Sequence, residues 1–115
     1  MSDSNYELVR QCALELAGSK GEHTVILDVN EVLDWTKYFI ITTANSGVHL
    51  RGLLRICEDF TAGHGVYSMR KPSLDEEDEW CLIDYGDFIV HIMSARTREF
   101  YDLESLWYKA KKIEI

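Results

Sequence analysis

The spacing of apolar residues predicts two amphipathic helices in the first part of the chain. In the first, from about Asn5 to Ala17, apolar side chains recur at helical intervals behind a capping box of Ser4 and Glu7. The second begins after the candidate caps at 44–46 and ends at the glycines at 63 and 65. Its apolar stripe consists of Leu50, Leu53, Leu54, Cys57 and Phe60.

Runs of β-branched and aromatic residues predict strands between and after these helices. His23 to Val29 predicts a buried or nearly buried strand, Lys37 to Thr43 a second strand, and Val66 to Met69 a short strand. Gly86-Asp87 separates two further runs and indicates a tight hairpin. These two runs are Trp80 to Tyr85 and Phe88 to Met93.

The remaining segments complete the order of elements. The run Asp75 to Glu79 predicts a solvated acidic loop. A final helix is expected from Thr97 or Asp102 to Lys112, where the closing lysines would complement the dipole at its C-terminus. The order α-β-β-α-β-β-β-α in 115 residues predicts a single α/β domain, residues 1–115, with a mixed sheet of about five strands flanked by helices.

The predicted hairpin has two unlike faces. If Gly86-Asp87 forms its loop, one face is entirely apolar or aromatic and should be core. That face carries Cys81, Ile83 and Tyr85 opposite Ile92, Val90 and Phe88. The other face mixes apolar groups with an acid and an imidazole. It carries Trp80, Leu82 and Asp84 opposite Met93, His91 and Ile89.

Two interpretations of the mixed face remain open, and they can coexist. In one, the last helix covers the face through Phe100, Leu103 and Trp107 and leaves Asp84 at the rim. In the other, part of the face stays exposed and binds a protein partner, because tryptophan and tyrosine often anchor interfaces.

Composition and charge narrow the classes of function. The net charge is −8 and the densest basic segment is the short run Lys109 to Lys112, which argues against a protein that binds nucleic-acid phosphates and favours a basic partner. No apolar run approaches the roughly 18–20 residues that span a membrane. Met1 to Asn5 lacks a signal-peptide pattern, and three scattered cysteines predict buried free thiols, so we expect a cytoplasmic protein.

The titratable residues do not form a recognisable catalytic or metal centre. Metal-dependent phosphoryl transfer commonly uses two carboxylates at i and i+2 of one strand, whereas Asp84 and Asp87 are separated by a turn and Asp28 stands alone. Asn45-Ser-Gly47 before a helix resembles a phosphate loop only weakly, and His91 is expected to be a hydrogen-bonded structural histidine. We therefore predict no catalytic residue, no metal and no cofactor, with a nucleotide-using enzyme as the alternative.

Five blocks of the sequence resemble one known family over roughly residues 5 to 110. They are Val25-Ile-Leu-Asp-Val29, Tyr38-Phe-Ile-Ile41, Trp80-x-Leu-Ile-Asp-Tyr-Gly-Asp87, Val90-His-Ile92 and Arg98-x-Phe-Tyr-Asp-Leu-Glu-x-Leu-Trp107. With these blocks the chain resembles the ribosomal silencing factor family, also called the Iojap family. It departs from the family at Lys37, where an aspartate is common, and in the acidic loop at 74–79, where an acid-glycine pair is common.

The resemblance implies a nucleotidyltransferase-like α/β fold without its active site, and a role that is not enzymatic. Family members bind the fourteenth protein of the large ribosomal subunit at the intersubunit face. They block joining of the small subunit and so lower translation when nutrients are short, and they are dimers when free. We therefore expect a translational repressor that contacts the large subunit through a basic ribosomal protein, with little direct nucleic-acid contact.

The matched blocks supply the candidate partner-binding residues. These are Trp80, Leu82, Asp84, Tyr85, Asp87, Tyr101 and Glu104. Trp80 and Tyr85 are expected to anchor the contact, while Asp84, Asp87 and the acidic loop steer it. For the candidates of the last block, Tyr101 and Glu104, the alternative to partner binding is a structural role.

Overall fold

The computed structural model describes residues 4–115, apart from the side chains of Ser4 and Glu114. The capping box expected at Ser4 therefore lies outside the described side chains. The elements in chain order are α1 (Ser4–Gly18), β1 (Glu22–Asp28), β2 (Tyr38–Ala44), α2 (Gly47–Gly63), β3 (Ser73–Leu74), β4 (Trp80–Asp84), β5 (Phe88–Ser94), α3 (Ala95–Tyr101), α4 (Leu103–Leu106) and β6 (Lys111–Glu114).

The strands form one mixed sheet in the order β3-β4-β5-β2-β1-β6. The central pair β2–β5 is parallel, and the other neighbouring pairs are antiparallel. Parallel neighbours need a long crossover connection, which α2 and the segment after it supply. The predicted α/β domain with a mixed sheet is confirmed, and the sheet has six strands rather than about five.

Each face of the sheet carries its own hydrophobic layer. On one face, Leu16 of α1 and Leu53 of α2 pack with Ile40 of β2, and all three are fully buried. On the other face, the layer around Phe39 and Met93 is covered by side chains from the β1–β2 connection and the C-terminal region. The covering side chains include Val32, Leu33, Leu103 and Trp107. Because both faces are covered, β2 is buried along its whole length.

The hairpin has the predicted register and faces. Cys81 pairs with Ile92 and Ile83 with Val90, and the Tyr85 N–H donates to the Phe88 carbonyl at 2.9 Å. All six side chains of the apolar face are buried. Gly86 has φ 87°, a left-handed conformation that glycine adopts without steric cost. The three cysteines are buried free thiols, as predicted.

The short strand predicted at Val66 to Met69 is wrong. That segment is irregular, and its Met69 N–H donates to the Asp84 carbonyl at 2.8 Å. The pairing along β4 is made instead by Ser73–Leu74, opposite Leu82 and Cys81. Strand propensity reflects packing on a half-buried surface, and Met69 is 68% exposed.

The long final helix predicted to reach Lys112 is also wrong. Asp102 has φ 45°, which ends α3, and its side chain accepts a hydrogen bond from the Ser105 N–H to begin α4. Lys111–Glu114 then pairs antiparallel with β1. The closing lysines therefore do not complement a helix terminus. The hydrogen bonds gained at the open edge of β1 outweigh the helix propensity of lysine and alanine.

Candidate functional site

An open groove lies where the mixed face of the hairpin meets the acidic loop and α3. Its lining residues are Asp75, Glu77, Glu79, Trp80, Arg96, Thr97, Phe100 and Tyr101. One wall is aromatic and the other is acidic, so we call it the acidic–aromatic groove. It lies beside Trp80, the first residue of β4.

The aromatic wall consists of three rings in contact. The ring centroids of Trp80 and Tyr101 are 4.8 Å apart, and those of Tyr101 and Phe100 are 5.0 Å apart in an edge-to-face arrangement. Tyr101 is 52% exposed and Phe100 is 78% exposed. Water therefore contacts a contiguous aromatic surface, whose burial against a partner would be favourable.

Hydrogen bonds hold Trp80 at both its backbone and its ring. The backbone N–H donates to Asp75 Oδ1 at 3.0 Å. The indole Nε1–H donates to Nδ1 of His91 on the neighbouring strand at 3.2 Å. The side chain is half-buried, so one part of the indole is anchored and another part faces the groove.

The acidic wall is tied to the fold rather than merely solvated. Asp75 Oδ1 also accepts from the Glu79 N–H at 2.7 Å, which closes the loop on itself. Arg96 bonds to Glu79 and lies 3.5 Å from Glu77. The hydrogen bond from Arg96 lowers the pKa of Glu79, so this carboxylate stays ionised. The solvated loop predicted from Asp75 to Glu79 is thus held at defined points.

The structure places Trp80 and Tyr101 together in the groove, whereas Leu82, Asp84 and Asp87 do not line it. Leu82 is half-buried opposite His91. Asp84 lies four residues along β4 from Trp80, roughly 13 Å at strand spacing, and its Oδ1 accepts from the Gly86 N–H at 2.8 Å. Asp87 is exposed and accepts from Asn5 Nδ2 at 3.1 Å. Both acids therefore belong to the hairpin turn and not to the groove.

Tyr85 is not available as a surface anchor, which corrects the expectation from the sequence. Its side chain is 8% exposed and stacks on Phe88 with centroids 4.7 Å apart. The hydroxyl accepts from Thr61 Oγ1 at 3.0 Å and lies 3.6 Å from Cys57 Sγ. Burial raises its pKa. The alternation of strand faces points Tyr85 to the core, as the apolar-face argument itself requires.

Glu104 joins three elements of the C-terminal region. Its carboxylate accepts from Arg98 of α3 at 3.0 Å and lies 3.2 Å from Nζ of Lys112 in β6. Arg98 also donates to Thr43 Oγ1 of β2 at 3.0 Å. Partial burial opposes its ionisation, but the hydrogen bonds from Arg98 and Lys112 prevail and lower its pKa. Glu104 therefore has a structural role, which is to link α3 and β6 to α4.

The start of α2, which weakly resembles a phosphate loop, is occupied by groups of the chain itself. Ser46 Oγ accepts from the His49 N–H at 3.0 Å as a helix cap. Asp78 of the acidic loop pairs with Arg51, and its Cβ would lie 3.1 Å from a Cβ built on Gly47. A carboxylate at this position would repel a phosphate.

Asp28, the other acid considered for chemistry, has a local role. Its Oδ1 accepts from the Asn30 N–H at 3.1 Å and so organises the turn after β1.

Within residues 4–115, no group of three or more His, Cys, Asp or Glu side chains could hold a metal ion. Over the same residues, no helix has the length and apolarity needed to cross a membrane.

Arg96 and Phe100 are groove residues that the sequence reasoning missed as site residues. Arg96 is the second residue after β5, and the acidic loop directly precedes β4. The predicted pairing of Trp80 with Met93 already brings these two strand ends together. Opposite charges at the two ends were therefore a usable signal for the Arg96–Glu79 contact.

Comparison with known proteins gives a consistent family assignment. A family model described as "Ribosomal silencing factor during starvation" matches residues 2–115. A Treponema pallidum protein named "Ribosomal silencing factor RsfS" is 32% identical over 94 residues, which cover 80% of this chain and 82% of that protein.

A crystal structure of a Chromobacterium violaceum protein superposes with a TM-score of 0.83 at 27% identity, over 89% of this chain and 84% of that one. A mouse protein named "Mitochondrial assembly of ribosomal large subunit protein 1" is 29% identical over 86 residues. These cover 71% of this chain and 37% of the mouse protein.

Proposed function

The chain belongs to the ribosomal silencing factor family, and from that premise we propose that it represses translation by binding the large ribosomal subunit. In this proposal it binds a basic ribosomal protein at the intersubunit face and blocks joining of the small subunit. Translation then falls when nutrients are short. The large subunit as target is supported by the name of the mouse relative.

The acidic–aromatic groove is the observation that supports this function best. Exposed aromatic side chains anchor protein interfaces, and here Tyr101 and Phe100 extend the surface of a half-buried Trp80. The acids of the loop flank the same surface. Their charge complements a basic protein and would repel the phosphates of ribosomal RNA. A basic ribosomal protein is therefore the partner that we propose for the groove.

Steric exclusion requires a rigid body at the subunit interface and no chemical step. The described part of the chain measures 39 × 32 × 25 Å, large enough to hold two flat surfaces apart. The Asp78–Arg51 pair over the start of α2 supports a function without nucleotide binding. We place this function in the cytoplasm and expect the free protein to be a homodimer.

Two measurements test the proposal. One is co-sedimentation of the protein with isolated large ribosomal subunits, and the other is the loss of joining by small subunits. Trp80→Ala and Tyr101→Ala should each weaken binding by roughly 30-fold or more, because a truncated interface anchor costs about 2–4 kcal/mol. Phe100→Ala should weaken binding to a smaller degree, because Phe100 lies at the edge of the aromatic wall.

Tyr108→Ala is the matched control for Phe100→Ala. Tyr108 is 75% exposed, close to the exposure of Phe100, and it does not line the groove. The control should bind and silence like the wild type. If the wild-type protein neither binds large subunits nor blocks joining, the proposal fails. Metal-dependent turnover of nucleotides that Asp28→Ala abolishes would support the enzyme instead.

A further inference from the structure

His91 is an unusual residue for the place that it occupies. It is 5% exposed, and its ring contacts Phe39 edge to face with centroids 5.1 Å apart. Its neighbours along the same strand, Ile89 and Met93 on this face, are apolar and buried. A leucine would fill such a site without any polar atom to satisfy.

The hydrogen bond to Trp80 determines which nitrogen of His91 carries the proton. An indole N–H can only donate, so Nδ1 must accept and the neutral ring is protonated at Nε2. Nε2 has no hydrogen-bond partner among the described residues. Leaving a buried donor unpaired destabilises a fold. Stability alone therefore does not account for an imidazole at position 91.

Burial keeps this acceptor in place at neutral pH, because it lowers the pKa of His91 to about 4. Several charged groups near this face have other partners. Asp84 of β4 accepts from the Gly86 N–H, and Arg98 of α3 pairs with Glu104 of α4, which also pairs with Lys112 of β6. The ring of Tyr101 packs on that of Trp80.

We propose that His91 is a positioning residue for partner binding, which holds the indole of Trp80 in the orientation that the partner contacts. This proposal rests on the proposed function. It adds His91, a residue behind the groove that orients Trp80 for binding. Tyr101 packs on the indole from the exposed side, with centroids 4.8 Å apart, while His91 holds it from the core. The indole N–H is thereby satisfied inside the protein, and a partner need not desolvate or reorient it.

Affinity for isolated large subunits, measured for four variants, tests this role. His91→Leu removes the acceptor at similar volume, and His91→Asn keeps an acceptor near the position of Nδ1. We expect His91→Leu to bind about five- to tenfold more weakly, the worth of one hydrogen bond, and His91→Asn to recover most of that loss. Trp80→Phe lacks the N–H, so adding His91→Leu to it should change affinity less than twofold.

Two results for affinity would overturn the proposal. One is wild-type affinity for His91→Leu. The other is that His91→Leu lowers affinity equally in the wild type and in the Trp80→Phe variant. His91 would then act through packing alone. Thermal unfolding of each variant identifies any that do not fold at the assay temperature, and His91→Met, which also lacks the acceptor, serves where His91→Leu does not.

A readout without the ribosome separates this proposal from the proposed function. The indole N–H signal of Trp80 in an NMR spectrum, assigned with Trp80→Phe, should exchange with solvent faster in His91→Leu than in the wild type and His91→Asn. Unchanged exchange would overturn the positioning role even if the wild type binds ribosomes. Faster exchange in a protein that does not bind would reject the proposed function and leave the His91–Trp80 link standing.

Discussion

At the scale of single residues, Trp80, Tyr85 and His91 show how position along a strand divides core from surface. Trp80 and Tyr85 are both aromatic and both belong to the same hairpin, yet Trp80 faces the groove and Tyr85 is 8% exposed. They lie five residues apart, so they point to opposite faces of the sheet. His91 shares the face of Trp80 and links its indole to the core.

We expect acid to destabilise the fold through His91. Its pKa is about 4 in the folded protein and about 6.5 in an unfolded chain. The unfolded state therefore binds more protons between these pH values. The stability associated with the neutral ring is fully present above pH 6.5 and is lost as the pH falls to 4, a change of about 3 kcal/mol.

Urea denaturation at pH 7, 5.5 and 4.5 measures this effect as the free energy of unfolding. The wild type should lose more stability over this range than His91→Leu, which has no titrating group at position 91. His23→Leu is the control, because His23 is exposed, and it should follow the wild type. Equal pH dependence in wild type and His91→Leu would contradict the prediction.

At the scale of elements, the C-terminal region is a set of short pieces joined by one carboxylate. α3 has seven residues and α4 has four, too few to be stable as isolated helices. Glu104 connects them to β6 through Arg98 and Lys112. The same pieces carry Phe100 and Tyr101, so the aromatic wall of the groove depends on this connection.

Glu104→Gln should therefore destabilise the protein by about 1–2 kcal/mol, because it leaves a mostly buried guanidinium without its counterion. The side chain of Arg98 is 13% exposed. Glu7→Gln is a suitable comparison, because the Glu7–Arg10 pair is 3.8 Å apart and about half exposed. Its effect should stay below about 0.5 kcal/mol. Thermal and urea unfolding measure both, and equal losses would mean that Glu104 does not connect these elements.

At the scale of the whole molecule, the position of the acidic side chains determines their effect on a basic partner. The chain has a net charge of −8, and three acids of the loop, Asp75, Glu77 and Glu79, line the groove. α2 lies on the opposite face of the sheet and carries the exposed acids Glu58 and Asp59. The acids of the loop should attract a basic partner that approaches the groove far more than Glu58 and Asp59 do.

Reversing one charge in the groove should slow association with large subunits. Glu77→Lys is expected to lower the association rate by about three- to tenfold at low salt and to weaken the salt dependence of binding, with a small effect on dissociation. Glu58→Lys changes the net charge by the same amount on the far side and should leave the rate near that of the wild type. Stopped-flow mixing with large subunits measures both, and equal slowing would mean that overall charge, and not the groove, controls association.

The sequence by itself determined the features that depend on local periodicity. The residues of α1, α2, β1, β2 and the hairpin follow from the apolar spacing, and the core face of the hairpin follows from the alternation of its side chains. The absence of a shared strand face for Asp84 and Asp87 follows from the same alternation. These features need only the geometry of one element or of two adjacent ones.

The tertiary structure decided whatever depends on residues far apart in the chain. Lys111–Glu114 is a strand because the distant β1 offers an unpaired edge, and Asp102 interrupts a helix whose composition favours continuation. The acidic–aromatic groove exists because the loop before β4 and the helix after β5 meet at the same end of the hairpin. Local propensities are worth tenths of a kcal/mol per residue, so such long-range pairing and packing outweigh them.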